Sequence, residues 1–111
     1  MLTRSDPETP LVYLAYRLKF IPEALAEWNA LDGSVKEVMR KALKKRLVNP
    51  HVPSCRLHSD LAGCYKIKLR QQGYRLVYTV EDDCLVVLVL AVNKREDSVV
   101  YRAAIARITN H

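Results

Sequence analysis

The chain has no uncharged apolar run near the ~20 residues that a membrane-spanning helix needs. Its longest candidate, Cys84 to Val92, is only strand-length. Secretion is not expected either. The opening residues Met1-Leu-Thr-Arg-Ser-Asp-Pro-Glu-Thr-Pro10 are polar, with two acids, two prolines and no apolar stretch. Cysteine is scarce: Cys55, Cys64 and Cys84 are the only three, an odd number without C-x-x-C spacing. That argues against a disulfide scaffold, and no Cys/His spacing makes a zinc site. Reduced thiols and a cytoplasmic location are expected, with no metal, no cofactor and no membrane partner. Internal repeats and low-complexity tracts are absent as well.

What is present is a soluble, basic chain of one-domain size. Half of its 111 residues are hydrophobic and 27% are charged. That length supports one hydrophobic core and not two. Eighteen Lys and Arg stand against twelve Asp and Glu, a formal charge of +6. A small domain so charged points to an anionic partner: nucleic acid, an acidic protein or an anionic surface.

Residues 1–11 read as a flexible arm, because Pro7 and Pro10 block regular structure. A single domain over 12–111 follows. From Val12, alternation of Leu14, Tyr16, Leu18 and Phe20 with Ala15, Arg17 and Lys19 has the period of a strand. Ile21-Pro22 starts a helix that carries Leu25, Trp28 and Leu31 inward and stops at Asp32-Gly33. Trp28 reads as core. Ser34 is the expected N-cap of a second helix, whose apolar stripe is Val35, Val38, Met39, Ala42, Leu43 and Leu47. Lys36, Arg40, Lys41, Lys44, Lys45 and Arg46 make its solvated face, with contact to RNA or to an acidic partner as the alternative use.

A loop over 50–62 holds His51 and His58. Three strands follow: Cys64–Arg70, Tyr74–Val80 and Cys84–Val92. Their links, Gln71-Gln72-Gly73 and Glu81-Asp82-Asp83, are hairpin-like. The wholly apolar third strand suggests burial on both faces. Asp97 or Ser98 caps a last helix with Tyr101, Ala104, Ile105 and Ile108 on one side. The order β-α-α-β-β-β-α is an α+β domain with helices packed on a mostly antiparallel sheet.

The chemistry concentrates in residues 64–80. Alternate side chains of a strand share a face, so Lys66, Lys68 and Arg70 point one way and Tyr65, Ile67 and Leu69 the other. A two-residue turn at Gln72-Gly73 would set Arg70 opposite Arg75, Lys68 opposite Val77 and Lys66 opposite Thr79. Lys66, Lys68, Arg70 and Arg75 then share one face, with Lys94 and Arg95 at its rim. The plain reading is a solvated surface. The sharper one is a phosphate site, because an anion relieves the repulsion. Clustered cations also depress a neighbouring lysine's pKa, and such a lysine can act as a general base.

These blocks resemble the RelE toxins of bacterial toxin–antitoxin modules, within the RelE/ParE superfamily. The resemblance runs from about Tyr13 to Ile108. It is carried by Cys64-Tyr-Lys-Ile-Lys-Leu-Arg70, Gly73-Tyr-Arg-Leu-Val-Tyr78 and Lys94-Arg-Glu…Val100-Tyr101, with Ala26-Glu27-Trp28 and Val35-Lys36-Glu37 in the helices. It implies a microbial-ribonuclease-like fold and a metal-independent endoribonuclease that cuts mRNA in the ribosomal A site. The 2′-OH would attack the adjacent phosphate, leaving a 2′,3′-cyclic phosphate and a 5′-OH.

The family's functional positions fall on Lys66, Lys68, Arg75, Arg95 and Tyr101. On these positions Lys68 would be the base, Lys66 and Arg75 would hold phosphate charge, and Arg95 would sit by the leaving oxygen as proton donor or stabiliser. Tyr101, by its place on an apolar helix face a core residue, would stack on a base or orient the 2′-OH. Arg70 and Lys94 are expected RNA contacts. His51 and His58 read as loop residues, although some relatives use histidine, which keeps His58 in view. The implied partners are the ribosome with A-site mRNA, a RelB-like antitoxin, and operator DNA through the antitoxin complex. Two alternatives stand beside this reading: a ParE-like toxin that inhibits gyrase without cleaving RNA, and a non-catalytic RNA-binding module.

Overall fold

A computed structural model describes residues 15–96 and 98–110. The expected arm at 1–11, the start of the first strand at 12–14 and the candidate cap Asp97 lie outside the described residues. The element order is the expected one: β1 (Arg17–Phe20), α1 (Pro22–Asn29), α2 (Gly33–Val48), β2 (Cys64–Leu69), β3 (Tyr74–Glu81), β4 (Val86–Lys94) and α3 (Val99–Asn110). The 50–62 loop contains two single 3₁₀ turns, Pro53–Cys55 and Ser59–Leu61.

Pro22 opens α1, where its missing N–H costs nothing. The helix buries Ala24 and Trp28, in line with Ile21 before it and Leu31 after it. Leu25 was expected inward but is exposed, since it lies a quarter-turn off that line. The N-cap of α2 is Asp32 rather than Ser34. Its carboxylate accepts the Ser34 backbone N–H at 3.2 Å and also takes the Ser34 hydroxyl. Val35, Met39 and Leu43 form the buried stripe of α2, while Val38 faces solvent.

The sheet order is β1-β4-β3-β2. β1 runs parallel to β4, and the other two ladders are antiparallel. The apolar strand β4 is therefore central, and both α1 and α3 pack on it. Val87, Val89 and Ala91 are fully buried, as expected of a strand covered on both faces.

Helices lie on both sides of the sheet. Arg46 of α2 reaches Tyr78, whereas Tyr101 of α3 stacks with Arg75. Residues 75 and 78 of one strand face opposite ways. The β3–β4 ladder shifts register between Val77 and Tyr78, leaving Leu90 as the extra residue of a bulge. A half-buried ion pair serves that irregular backbone. Glu27 accepts the Val92 N–H at 3.0 Å, Arg107 donates to the Leu90 carbonyl at 2.8 Å, and the two side chains meet at 2.8 and 2.9 Å.

Candidate active site

The β2–β3 connection has four residues, Arg70 to Gly73, instead of the expected two. The Gly73 N–H donates to the Leu69 carbonyl at 2.8 Å, and Gly73 takes a φ of +73°, which favours glycine. Pairing is thus displaced by two residues. Lys68 faces Arg75 rather than Val77, and Lys66 faces Val77 rather than Thr79. A two-residue displacement preserves the alternation of faces. Lys66, Lys68 and Arg75 still share one face, and Tyr65, Ile67, Leu69, Leu76 and Tyr78 share the other.

Directly opposed residues of an antiparallel pair have Cβ atoms about 4.5–5.5 Å apart. Lys68 is exposed and beset by like charge. Lys66 beside it is the largest influence, followed by partial loss of solvent, Arg75, hydrogen bonding to Lys66, and Arg70. Together they hold the Lys68 ammonium below its ordinary pKa. Among the described residues no carboxylate pairs with Lys66, Lys68, Arg70 or Arg75.

Arg75 is half-buried. Its guanidinium lies 5.3 Å from the centre of the Tyr101 ring, and its buried Nε has no hydrogen-bond partner among the described residues. Tyr101 is therefore not simply core: one face of its ring carries the arginine. Arg95 is exposed. Its backbone N–H donates to the Gly73 carbonyl at 2.8 Å, which fixes it beside the β2–β3 turn. So β2 ends, β3 begins and β4 runs into α3 at one end of the sheet, where Lys68, Arg70, Arg75, Arg95 and Tyr101 sit. Lys66 is one step further in.

Lys94 does not join them. It pairs with Tyr74, so its side chain is on the α1 side of the sheet, beside Glu27, Ala30 and Leu31. The expectation that it rims the Lys68 face fails because that position belongs to Asn93, which pairs with Arg75.

His51 does not approach the site's face, since its partner Tyr65 points the other way. His51 is a tie: Nε2 lies 2.9 Å from Asp82, and Nδ1 2.9 Å from the Tyr65 hydroxyl. Tyr16 donates to the same Asp82 oxygen at 2.5 Å. His58 is exposed on the loop. Among the described residues, no three His, Cys, Asp or Glu side chains gather into a set that could hold a metal ion.

A cleft of about 430 Å³ runs beside β2 and is lined by Lys45 and Arg46 of α2 and by Lys66, Lys68 and Arg70. Arg46 departs from the expected solvated face: it is half-buried and turned inward. The signal was available, because position 46 follows Met39 and Leu43 at helical spacing. A cleft with five cations and no carboxylate in its lining suits a phosphodiester, and it holds a lysine whose pKa is lowered by its neighbours.

Comparison with known proteins shows the family. The family model described as the ParE toxin of the type II toxin–antitoxin system parDE matches residues 18–99. The mRNA interferase toxin RelE of Escherichia coli strain K12 is 46% identical over 95 residues, covering 86% of this chain and 99% of the relative. The free state of E. coli RelE with two arginine-to-alanine substitutions superposes with a TM-score of 0.77 at 46% identity, covering 85% of this chain and 98% of that one. RelE in the intact E. coli RelBE toxin–antitoxin complex gives 0.71 at 44% identity, covering 75% and 100%. The chain belongs to the RelE/ParE superfamily of type II toxin–antitoxin toxins.

Proposed function

We propose that this chain is an mRNA interferase of the RelE kind, an endoribonuclease that inhibits translation by cutting mRNA in the ribosomal A site. The observation that carries this reading is Lys68 facing Arg75 beside Lys66, a cation-only cluster on a scaffold whose 46%-identical relative is named an mRNA interferase.

In the proposed reaction the 2′-oxygen forms a bond to the adjacent phosphorus, and the bond from phosphorus to the 5′-oxygen breaks. Neutral Lys68 takes the 2′-OH proton. Lys66 and Arg75 hold the charge that builds on the phosphoryl oxygens. Arg95 steadies the departing 5′-oxygen, which leaves as a 5′-OH after taking a proton from water. Arginine's high pKa suits stabilisation better than proton donation. Arg70 extends the contact to the RNA backbone. Tyr101 backs Arg75 with one ring face and is placed to orient the 2′-OH.

A helical antitoxin of the RelB kind is the proposed protein partner, as E. coli RelE has in its RelBE complex. Operator DNA would be reached through that complex. No described helix is long and apolar enough to cross a membrane.

A second reading, gyrase inhibition without RNA cleavage, draws on the ParE description of the matching family model. It has no need of Lys66, Lys68, Arg75, Arg95 and Tyr101 together. Primer extension on mRNA in a translating extract, beside the same mRNA without ribosomes, separates the two. Cuts within codons only where ribosomes are present support the interferase. No cuts in either sample, together with loss of DNA supercoiling by gyrase, support the other.

A further inference from the structure

β2 is an edge strand, so its outward carbonyls have no neighbouring strand to pair with. Edge positions normally take water or a covering group. Two of the outward groups of β2 are covered from the chain itself. The Cys64 carbonyl accepts the Leu57 N–H at 2.9 Å. The Lys66 carbonyl accepts Nη1 of Arg46 at 3.0 Å.

The guanidinium that does this has three further contacts. Nη1 also donates to the Tyr78 hydroxyl at 2.9 Å, and Nη2 donates to Cys55 Sγ at 3.2 Å. The guanidinium lies 5.7 Å from the Tyr78 ring centre. Tyr78 is itself fully buried and donates to the Pro50 carbonyl at 2.7 Å. The last turn of α2 is thereby locked to the middle of β2 through a rigid fork.

We infer that Arg46 is a positioning residue for the RNA-cleaving site, fixing the β2 backbone at Lys66 so that Lys66 and Lys68 keep their spacing to Arg75. The inference rests on the interferase reading of that site. Among the described residues Lys66 and Lys68 have no carboxylate to hold their side chains, so their separation is set by the strand that carries them. The charges that depress the Lys68 pKa are Lys66, Arg75 and Arg70; Arg46 is not among them. Arg46 acts on Lys68 through backbone geometry, not through its own charge. A misplacement of about 1 Å at a reacting group costs up to ~100-fold in rate.

The test is the single-turnover rate of mRNA cleavage on programmed ribosomes, measured against pH at saturating toxin. It uses the full chain, Arg46→Lys, Arg46→Met and Lys68→Ala. Arg46→Lys keeps the charge but cannot span three partners. We expect both Arg46 variants to lose about tenfold or more in saturating rate, with the rise in rate displaced to higher pH and half-saturation within about twofold of wild type. Tyr78→Phe, which removes one anchor and keeps the ring, should displace the profile the same way by less; no displacement there overturns the inference even where an Arg46 variant fails to fold. Arg46→Lys at the wild-type rate, with Arg46→Met weak only in half-saturation, would make Arg46 an RNA contact and overturn it. Unchanged Arg46 variants beside an inactive Lys68→Ala would overturn it alone. A Lys68→Ala chain that cuts at the wild-type rate would overturn the site reading as well.

Discussion

Lys68 on β2 faces Arg75 on β3 directly across the ladder, like charge against like charge. Such a pair destabilises a sheet unless an anion sits between. Lys66 on the same strand and Arg70 in the turn add to the repulsion. A phosphate placed between these cations would relieve that repulsion.

The first prediction concerns Lys66. It is the largest cause of the depressed Lys68 pKa. Lys66→Ala should let the Lys68 pKa return toward its ordinary value of 10.5. The sign is fixed: a base with a higher pKa is less often neutral at a given pH. The rate of cleavage on ribosomes should therefore rise at higher pH in Lys66→Ala than in wild type. A profile displaced to lower pH, or not displaced, contradicts the electrostatic account of Lys68.

Arg75 and Tyr101 form the second. Arg75→Ala removes a preorganised cation from the phosphate and should cost ~100- to 1000-fold in cleavage rate. Tyr101→Phe keeps the ring under the guanidinium and should keep most of whatever Arg75 supplies. Tyr101→Ala removes a cation–π contact of about 0.5–1 kcal/mol and frees the arginine to wander. An equal loss in Tyr101→Phe and Tyr101→Ala would show that the hydroxyl, and not the ring, is what matters.

A third prediction addresses the bulge in β4. Glu27 serves both Arg107 and the Val92 N–H, at side-chain exposures of 22% for Glu27 and 18% for Arg107. Glu27→Ala strands a half-buried guanidinium and an amide. It should cost about 2–3 kcal/mol. For a domain of this size that lowers the melting temperature by roughly 10 °C. A shift under about 3 °C in a thermal melt would mean that water replaces the carboxylate without penalty.

The Tyr16–Asp82–His51 tie gives a fourth. Hydrogen bonds from Tyr16, then from His51, hold the Asp82 carboxyl below its ordinary 3.8. A lowered carboxylate pKa contributes stability that is present above pH 3.8 and is lost as pH falls through the lower, folded value. Asp82→Asn should therefore be less stable than wild type in urea at pH 7. The gap should close once the pH is low enough to protonate the folded carboxyl. A gap that persists in acid would mean that the loss is steric and not ionic.

The sequence made the faces of β2 and β3 legible but not their register. Period-two alternation survives a two-residue shift, so only the four-residue turn, with Gly73 at positive φ, decides that Lys68 meets Arg75. The central, doubly covered β4 was readable from its unbroken apolar run. The bulge at Leu90 was not, because its satisfaction depends on Glu27 and Arg107, eighty residues apart in sequence. Lys94 went to the wrong face for the same local reason: its side depends on a pairing with Tyr74 that the strand's composition does not record. Arg46 was lost among the lysines of α2, although its place on the Met39–Leu43 stripe marked it as inward. Tyr101 looked like core and is half that, apolar beneath and stacked with Arg75 above.

The most direct test of the central claim is the chemistry of the cut ends. mRNA cleaved by the purified chain on ribosomes should carry a 2′,3′-cyclic phosphate on the upstream fragment and a 5′-OH on the downstream one. The downstream fragment would then be labelled by polynucleotide kinase without prior phosphatase. Upstream fragments with a free 3′-OH and downstream fragments with a 5′-phosphate would mean that water, not the neighbouring 2′-OH, attacks phosphorus, and the roles given to Lys68, Lys66 and Arg75 would fall.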